Sequence, residues 1–126
     1  MAKKILLVDD EIDFVEVLRV RLEDNNYEVL VAYDGEEGLE RAERDGPDLI
    51  ILDIMLPKIS GFDVCLKLKI NKNFKNIPII MLSAKFQPND IKFGVAMGAD
   101  AYITKPFEPQ VLIDKVHELL GEKRSP

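Results

Sequence analysis

The sequence predicts an α/β protein built on a doubly wound, five-stranded parallel sheet with five helices. Five short runs are rich in Ile, Leu and Val and show little alternation with polar residues, which is typical of strands buried on both faces. The intervals between these runs carry apolar residues at helical spacing. Strict alternation of strands and helices, with right-handed crossovers, places helices on both faces of such a sheet.

The five strands are predicted near residues 4–9, 28–33, 48–53, 77–82 and 100–104. The apolar positions that indicate the five helices are, in order, Phe14, Leu18 and Leu22; Leu39 and Ala42; Val64 and Leu68; Ile91 and Val95; and Leu112, Val116, Leu119 and Leu120. For five strands we expect the flavodoxin-like order 2-1-3-4-5, in which the first strand lies beside the third.

Helix boundaries are also readable. Two pairs have the spacing of an N-cap that accepts amide protons of the first turn, namely Asp34 with Glu37 and Ser60 with Asp63. Helix ends are indicated by Gly46-Pro47, Gly98 and Gly121. A glycine inside the fourth helix, Gly94, costs about 1 kcal/mol relative to alanine, so this helix is predicted to be the weakest.

Length and composition limit the number of domains and the classes of protein to which the chain could belong. With 126 residues, the chain is expected to form one domain over residues 1–121 and a flexible C-terminal tail over residues 122–126. One cysteine, Cys65, excludes an internal disulfide and a CxxC motif, and no apolar run approaches the roughly 20 residues that cross a bilayer. We expect a cytoplasmic protein. A net charge of -6 opposes direct binding to nucleic acid or to a membrane.

Polar residues stand at the ends of four of the predicted strands: Asp9 and Asp10, Asp53, Ser83 and Lys105. Ligands of doubly wound sheets bind outside the carboxyl ends of the strands, where the strand order reverses. The order 2-1-3-4-5 would bring Asp9 and Asp10 next to Asp53 at that point. Each residue alone could be an ordinary cap, turn or surface residue. Only their common position at the carboxyl end of the sheet predicts one site.

The chemistry of this group favours phosphoryl transfer. Three adjacent carboxylates need positive charge to stay ionised, and Mg²⁺ prefers such oxygen ligands. Three carboxylates, one magnesium ion and Lys105 balance in charge. Asp53 is the best candidate for the acceptor, since aspartate can form an acyl phosphate. Ser83 is an alternative acceptor, but no base is placed to activate it, so hydrogen bonding to the phosphoryl group fits it better.

Four segments together resemble the receiver domain of two-component response regulators: KKILLVDDE, LIILDIMLPKISGFDV, PIIMLSAK and GADAYITKPF. The resemblance covers nearly the whole chain in the correct order. It implies that Asp53 is the phosphoacceptor and that Asp10, Asp9 and the backbone carbonyl of Met55 join Asp53 in holding magnesium.

The same resemblance implies a switch. Ser83 and Lys105 would contact the phosphoryl group, Tyr102 would be the aromatic switch residue, and the bond from Lys105 to Pro106 would be cis. The fourth helix, fifth strand and fifth helix would form the face that signals to a downstream effector protein or domain. The phosphoryl donor would be a histidine kinase or a histidine phosphotransfer protein, and the domain would be a monomer that could dimerise on phosphorylation.

Two other classes remain as alternatives. A phosphatase of the haloacid dehalogenase type needs an acid/base aspartate two residues after its nucleophile, where this chain has Met55. A mononucleotide or flavin site needs a glycine-rich loop after the first strand, where DDEIDF stands instead.

Because neither Met55 nor Lys85 could position an attacking water, we hypothesise a long-lived phosphoryl group. His117 is expected to be a solvated helix residue.

Overall fold

The computed structural model describes residues 2–84 and 88–122, except for the side chains of residues 88–91. The strands are β1 (Lys4–Val8), β2 (Glu28–Ala32), β3 (Leu49–Asp53), β4 (Ile79–Ser83) and β5 (Ala101–Thr104). The helices are α1 (Ile12–Asp24), α2 (Gly35–Asp45), α3 (Gly61–Lys69), α4 (Pro88–Ala96) and α5 (Pro109–Leu119). Five strands therefore alternate with five helices, as predicted.

All strand pairs are parallel and the sheet order is β2-β1-β3-β4-β5, which confirms the predicted topology. The strand bounds differ from the prediction by at most two residues. The largest difference is at β4, which begins at Ile79 rather than at Ile77. Pro78 lies between them and has no N–H to donate, although its carbonyl accepts from Ile50 N at 2.9 Å.

The sheet is covered on both faces, and each face has its own apolar cluster. In β1, Ile5 and Leu7 pack with residues of α1 and α5, whereas Leu6 and Val8 pack with residues of α2 and α3. All four of these side chains are fully buried. Because both faces of each central strand are buried, the sequence shows continuous apolar runs instead of alternation.

The predicted caps are present. Asp34 Oδ1 accepts the Glu37 N–H at 2.8 Å, and Ser60 Oγ accepts the Asp63 N–H at 3.2 Å. Gly46 follows α2 with φ 57°, in the left-handed region that glycine adopts easily. These local signals were therefore sufficient to define both ends of α2 and the start of α3.

Gly94 has a packing role that the sequence does not reveal. A Cβ atom at this position would lie 3.2 Å from Tyr102 Cδ2 and 3.7 Å from Phe62 Cε1. Next to it, the rings of Phe62 and Phe93 pack edge to face, with centroids 4.6 Å apart. The glycine thus leaves room for the Tyr102 ring between α4 and the sheet.

The amino-terminal end of the sheet is held by two polar clusters. Lys69 Nζ donates to the carbonyls of Lys75 at 3.1 Å and Ile77 at 2.8 Å, and to Asp100 Oδ2 at 3.0 Å. This one side chain therefore joins α3, the loop before β4 and the residue before β5.

The second cluster corrects a prediction. His117 is half-buried, and its Nδ1 lies 2.7 Å from the Tyr27 hydroxyl, so the expectation of a solvated helix residue was wrong. The same hydroxyl donates to Glu122 Oε1 at 2.5 Å, and Glu122 N donates to the carbonyl of His117 at 2.8 Å. Glu122, which was predicted to begin the tail, thus contacts the domain, and residues 123–126 lie outside the described residues.

The helices are short, the longest being α1 with 13 residues. Within residues 2–84 and 88–122, no helix combines the length and apolar character required to span a membrane.

Candidate functional site

The carboxyl ends of β1 and β3 bring three carboxylates together. Asp9 follows β1 and is fully buried, Asp10 is exposed, and Asp53 ends β3 with 4% of its surface exposed. One carboxylate oxygen from each of the three lies within 4.8 Å of the others. Adjacency of β1 and β3 in the sheet produces this cluster, as the predicted strand order requires.

Lys105, which follows the edge strand β5, extends its side chain to this cluster. Its Nζ lies 2.9 Å from Asp9 Oδ2 and 3.4 Å from Asp53 Oδ2. Its backbone N–H donates to the carbonyl of Ser83 at 2.7 Å, which fixes the start of the loop that follows β5. Lys105 thus connects the ends of β1, β3, β4 and β5.

Sequence reasoning missed two further partners of Lys105, both at the start of α1. Glu11 Oε1 lies 3.0 Å from Lys105 Nζ, and the Nζ atom stands 4.2 Å from the centroid of the Phe14 ring. Glu11 precedes α1, and its own N–H donates to Asp9 Oδ1 at 2.9 Å. The signal for Glu11 was its place in the run DDE, directly after the two aspartates.

Glu11 changes the charge balance of the site. With Asp9, Asp10 and Asp53, the Glu11 carboxylate is the fourth near the Lys105 ammonium group. Only three carboxylates were expected from the sequence. With one divalent cation and Lys105, the four carboxylates would leave one negative charge. Glu11 is 61% exposed in its side chain, so water screens this charge more than it screens the charge of Asp9 or Asp53.

The carboxyl group of Asp53 has an unusual proton affinity. Burial, and then the neighbouring Asp9 carboxylate, raise the pKa of Asp53 from 3.8 to about 6, against the opposing effect of Lys105. For Lys105, burial by itself lowers the pKa, but the hydrogen bonds to Asp9 and Glu11 and the charge of Asp53 outweigh it and raise the pKa. The lysine is therefore fully charged at neutral pH, but its single positive charge is fewer than the negative charges of the carboxylates in the metal-free pocket.

Ser83 is the last residue of β4 and is fully buried. In the register of the sheet, Leu82 pairs with Asp53, and Ser83 pairs with Thr104. Ser83 therefore stands between the strand that carries Asp53 and the strand that leads to Lys105. The four strand-end positions predicted from the sequence thus lie at the same, carboxyl, end of the sheet.

The loop after β3 lies close around Asp53. Met55 N donates to Asp53 Oδ1 at 3.2 Å, while Met55 as a residue is 59% exposed. Gly61 N donates to the carbonyl of Ile54 at 2.9 Å. A Cβ atom at Gly61 would lie only 2.1 Å from the Asp53 carbonyl oxygen, which explains why glycine stands here.

Tyr102 and Pro106 complete the predicted set. Tyr102 is half-buried in β5 and packs against the apolar cluster on the α2 and α3 side of the sheet. The Lys105-Pro106 peptide bond is cis. Lys85, to which the lifetime hypothesis also referred, lies outside the described residues.

The residues present fit a small divalent cation. All three clustered groups are carboxylates, which are the ligands that Mg²⁺ prefers, and their oxygens are close enough to share one ion. The exposure of Asp10 leaves one side of the cluster open to water and to a ligand. Buried carboxylates with a deficit of positive charge supply a physical reason for cation binding.

Comparison with known families agrees with this architecture. The family described as "Response regulator receiver domain" matches residues 5–117. The chain therefore belongs to the receiver domains of response regulators, the signalling domains of two-component systems.

Two sequence relatives illustrate the match. The chain is 48% identical over 120 residues to the alkaline phosphatase synthesis transcriptional regulatory protein PhoP of Bacillus subtilis, covering 95% of this chain and 49% of that protein. It is 40% identical over 117 residues to the response regulator ArlR of Staphylococcus saprophyticus, covering 93% of this chain and 52% of that protein. The chain thus spans about half the length of these regulators.

Solved structures give the same fold. A putative response regulator from Chloroflexus aurantiacus superposes with a TM-score of 0.92 at 35% identity, covering 97% of this chain and 100% of that chain. The chemotaxis response regulator CheY4 of Vibrio cholerae superposes with a TM-score of 0.89 at 33% identity, covering 94% of this chain and 99% of that chain.

Proposed function

We propose that this receiver domain accepts a phosphoryl group on Asp53 in a magnesium-dependent reaction. The observation that carries the proposal is that Asp9, Asp10, Asp53 and Lys105 lie together at the carboxyl end of the sheet. Asp53 is the central member, since it ends β3, the middle strand of the sheet, between β1, which leads to Asp9 and Asp10, and β4, which ends at Ser83. An aspartate in this position is suited to attack phosphorus and form an acyl phosphate.

We assign the remaining groups by position. Asp9, Asp10, Asp53 and the backbone carbonyl of Met55 would hold Mg²⁺, which when bound would neutralise charge that develops on the phosphoryl oxygens. Lys105 and the Ser83 hydroxyl would contact the phosphoryl oxygens on the other side. The domain would promote only its own phosphorylation and slow dephosphorylation, and it would not turn over a separate substrate as an enzyme does.

The donor would be a phosphohistidine of a sensor histidine kinase or of a histidine phosphotransfer protein. In the transfer, the phosphorus–nitrogen bond of the donor breaks while an oxygen of Asp53 bonds to phosphorus. The electron pair of the broken bond stays on the imidazole nitrogen, which takes up a proton. We expect this exchange to occur in the cytoplasm, with no direct role for nucleic acid or membrane.

Phosphorylation would then change the face formed by α4, β5 and α5. The new group carries about -1.5 to -2 charges at pH 7 and draws Lys105 and Ser83 toward itself. Tyr102 and α4 are the expected responders, because Gly94 gives α4 a backbone that is easier to displace and Tyr102 packs directly beneath it. This face would bind a downstream effector protein or domain, or a second copy of the phosphorylated domain.

The phosphoryl group is expected to be long-lived. Attack by water on the acyl phosphate needs a group that orients the water, and the residue two positions after Asp53 is an apolar, outward-facing methionine. Following the loss of phosphate from purified protein tests this expectation. A lifetime of seconds would contradict it.

The acceptor itself is tested by mass measurement after incubation with acetyl phosphate and Mg²⁺. We expect one phosphoryl adduct in the wild type and in Ser83→Ala, and none in Asp53→Asn or in the presence of EDTA. Hydroxylamine should release the adduct, because it cleaves acyl phosphates and leaves serine phosphates intact. An adduct that persists in Asp53→Asn and resists hydroxylamine would refute the assignment to Asp53.

A further inference from the structure

The ammonium group of Lys105 is surrounded by more partners than it has hydrogen atoms. Oxygens of Asp9, Glu11 and Asp53 lie 2.9, 3.0 and 3.4 Å from Nζ. A lysine has three N–H donors, so these three carboxylates occupy all of them. The Phe14 ring is a fourth partner, at 4.2 Å from Nζ to the centroid, and it needs no N–H.

The Phe14 ring is itself held in place. Phe14 lies in the first turn of α1, and Phe107 follows Lys105 by two residues. Their rings meet edge to face, with centroids 6.0 Å apart and an interplanar angle of 85°. Both rings are partly buried and pack against the apolar cluster between the sheet and the helices α1 and α5. The aromatic face below Lys105 is therefore held by apolar packing and does not depend on the charges of the pocket.

We propose that Phe14 is a positioning residue for Lys105, whose ring keeps the ammonium group in the pocket while its hydrogen-bond partners change. The proposal rests on the proposed function. A phosphoryl group on Asp53 can gain N–H donors from Lys105 only if one or more carboxylates lose theirs. The attraction between the ammonium and the ring survives that exchange, since it is not directional toward any N–H.

The resting contact is tested first by proton NMR of the metal-free protein. Aromatic ring currents move protons above a ring face upfield, so the ε-methylene protons of Lys105 should be shifted upfield in the wild type. The shift should remain in Phe14→Tyr and disappear in Phe14→Leu. The matched control is Phe74→Leu, because Phe74 is also half-buried but packs on the opposite face of the sheet. A normal Lys105 shift in the wild type would overturn the proposal.

The functional consequence is tested by the second-order rate constant for phosphorylation by acetyl phosphate with Mg²⁺. Phe14→Leu should lower it about fivefold, as expected for the loss of one cation–π contact, while Phe14→Tyr should retain the wild-type value. Equal losses in Phe14→Leu and Phe74→Leu, or no loss in Phe14→Leu, would overturn the proposal. If the wild type formed no adduct at Asp53, the proposed function would fail separately and the NMR result would decide the contact alone.

Discussion

The carboxylate of Asp53 is expected to destabilise the metal-free protein at neutral pH, and Asp53→Asn should remove this cost. Asp53 is 4% exposed and lies near Asp9, and these two causes raise its pKa to about 6. Asparagine has nearly the same shape and is uncharged. Its carbonyl can still accept the Met55 N–H that Asp53 Oδ1 accepts at 3.2 Å.

The magnitude follows from the pKa. A change from 3.8 to about 6 corresponds to about 3 kcal/mol of folding free energy above pH 6. This figure is an upper value, and it already includes the opposing attraction of Lys105, whose Nζ lies 3.4 Å from Asp53 Oδ2. We therefore expect a net stabilisation of about 1 to 3 kcal/mol, or about 4 to 10 °C in Tm for a domain of this size.

The sign of the pH dependence is specific. A carboxyl group whose pKa is raised on folding binds a proton more tightly in the folded state, so its contribution to stability is present at low pH and is lost as pH rises. For Asp53 the loss occurs between about pH 4 and pH 6. The advantage of Asp53→Asn should accordingly be full at pH 8 and about half as large at pH 5.

Thermal unfolding followed by circular dichroism in EDTA, at pH 5 and at pH 8, measures both effects. Asp24→Asn is the matched control, because Asp24 is an exposed aspartate at the end of α1 far from the pocket. It should change stability by no more than about 0.5 kcal/mol. An Asp53→Asn protein that is no more stable than the wild type at pH 8 would refute the reasoning from burial and charge.

Three further substitutions test the packing around the site and at the opposite end of the sheet by chemical denaturation. Gly61→Ala should destabilise by about 2 kcal/mol or more, since its Cβ would lie 2.1 Å from the Asp53 carbonyl oxygen; normal stability would show that the loop relaxes easily. Lys69→Met should cost about 2 to 3 kcal/mol because two carbonyls lose a charged donor, whereas the exposed Lys67→Met should be nearly neutral. Tyr27→Phe should cost about 1 kcal/mol through loss of its hydroxyl contacts, and an unchanged midpoint would argue that those contacts are not formed in solution.

The fold was predictable because local signals and topology agreed. Continuous apolar runs identified the strands, and the caps at Asp34 and Ser60 defined helix starts that the structure confirms. The rule that ligands bind where strand order reverses then brought the strand-end residues together. None of these steps required knowledge of a side-chain conformation.

The partners of Lys105 in α1 were not predictable in the same way. Whether Glu11 and Phe14 point toward a lysine more than 90 residues away depends on how α1 packs against the sheet, and spacing alone does not fix that. The same limit explains the error at His117, whose partner Tyr27 lies 90 residues earlier in the chain. Helical spacing identified an apolar face for Phe14 but could not show that a cation would rest upon it.

Lys105 follows the edge strand β5, yet its charge is neutralised at the middle of the sheet, beyond the ends of β4 and β3. A change of charge at Asp53 would therefore reach the edge strand through two groups of Lys105: its ammonium group, 3.4 Å from Asp53 Oδ2, and its backbone N–H, which donates to the Ser83 carbonyl. The central strands need not move for the edge to respond. We expect the response to be confined to the partly exposed edge strand β5, while the fully buried strand β3 stays in place.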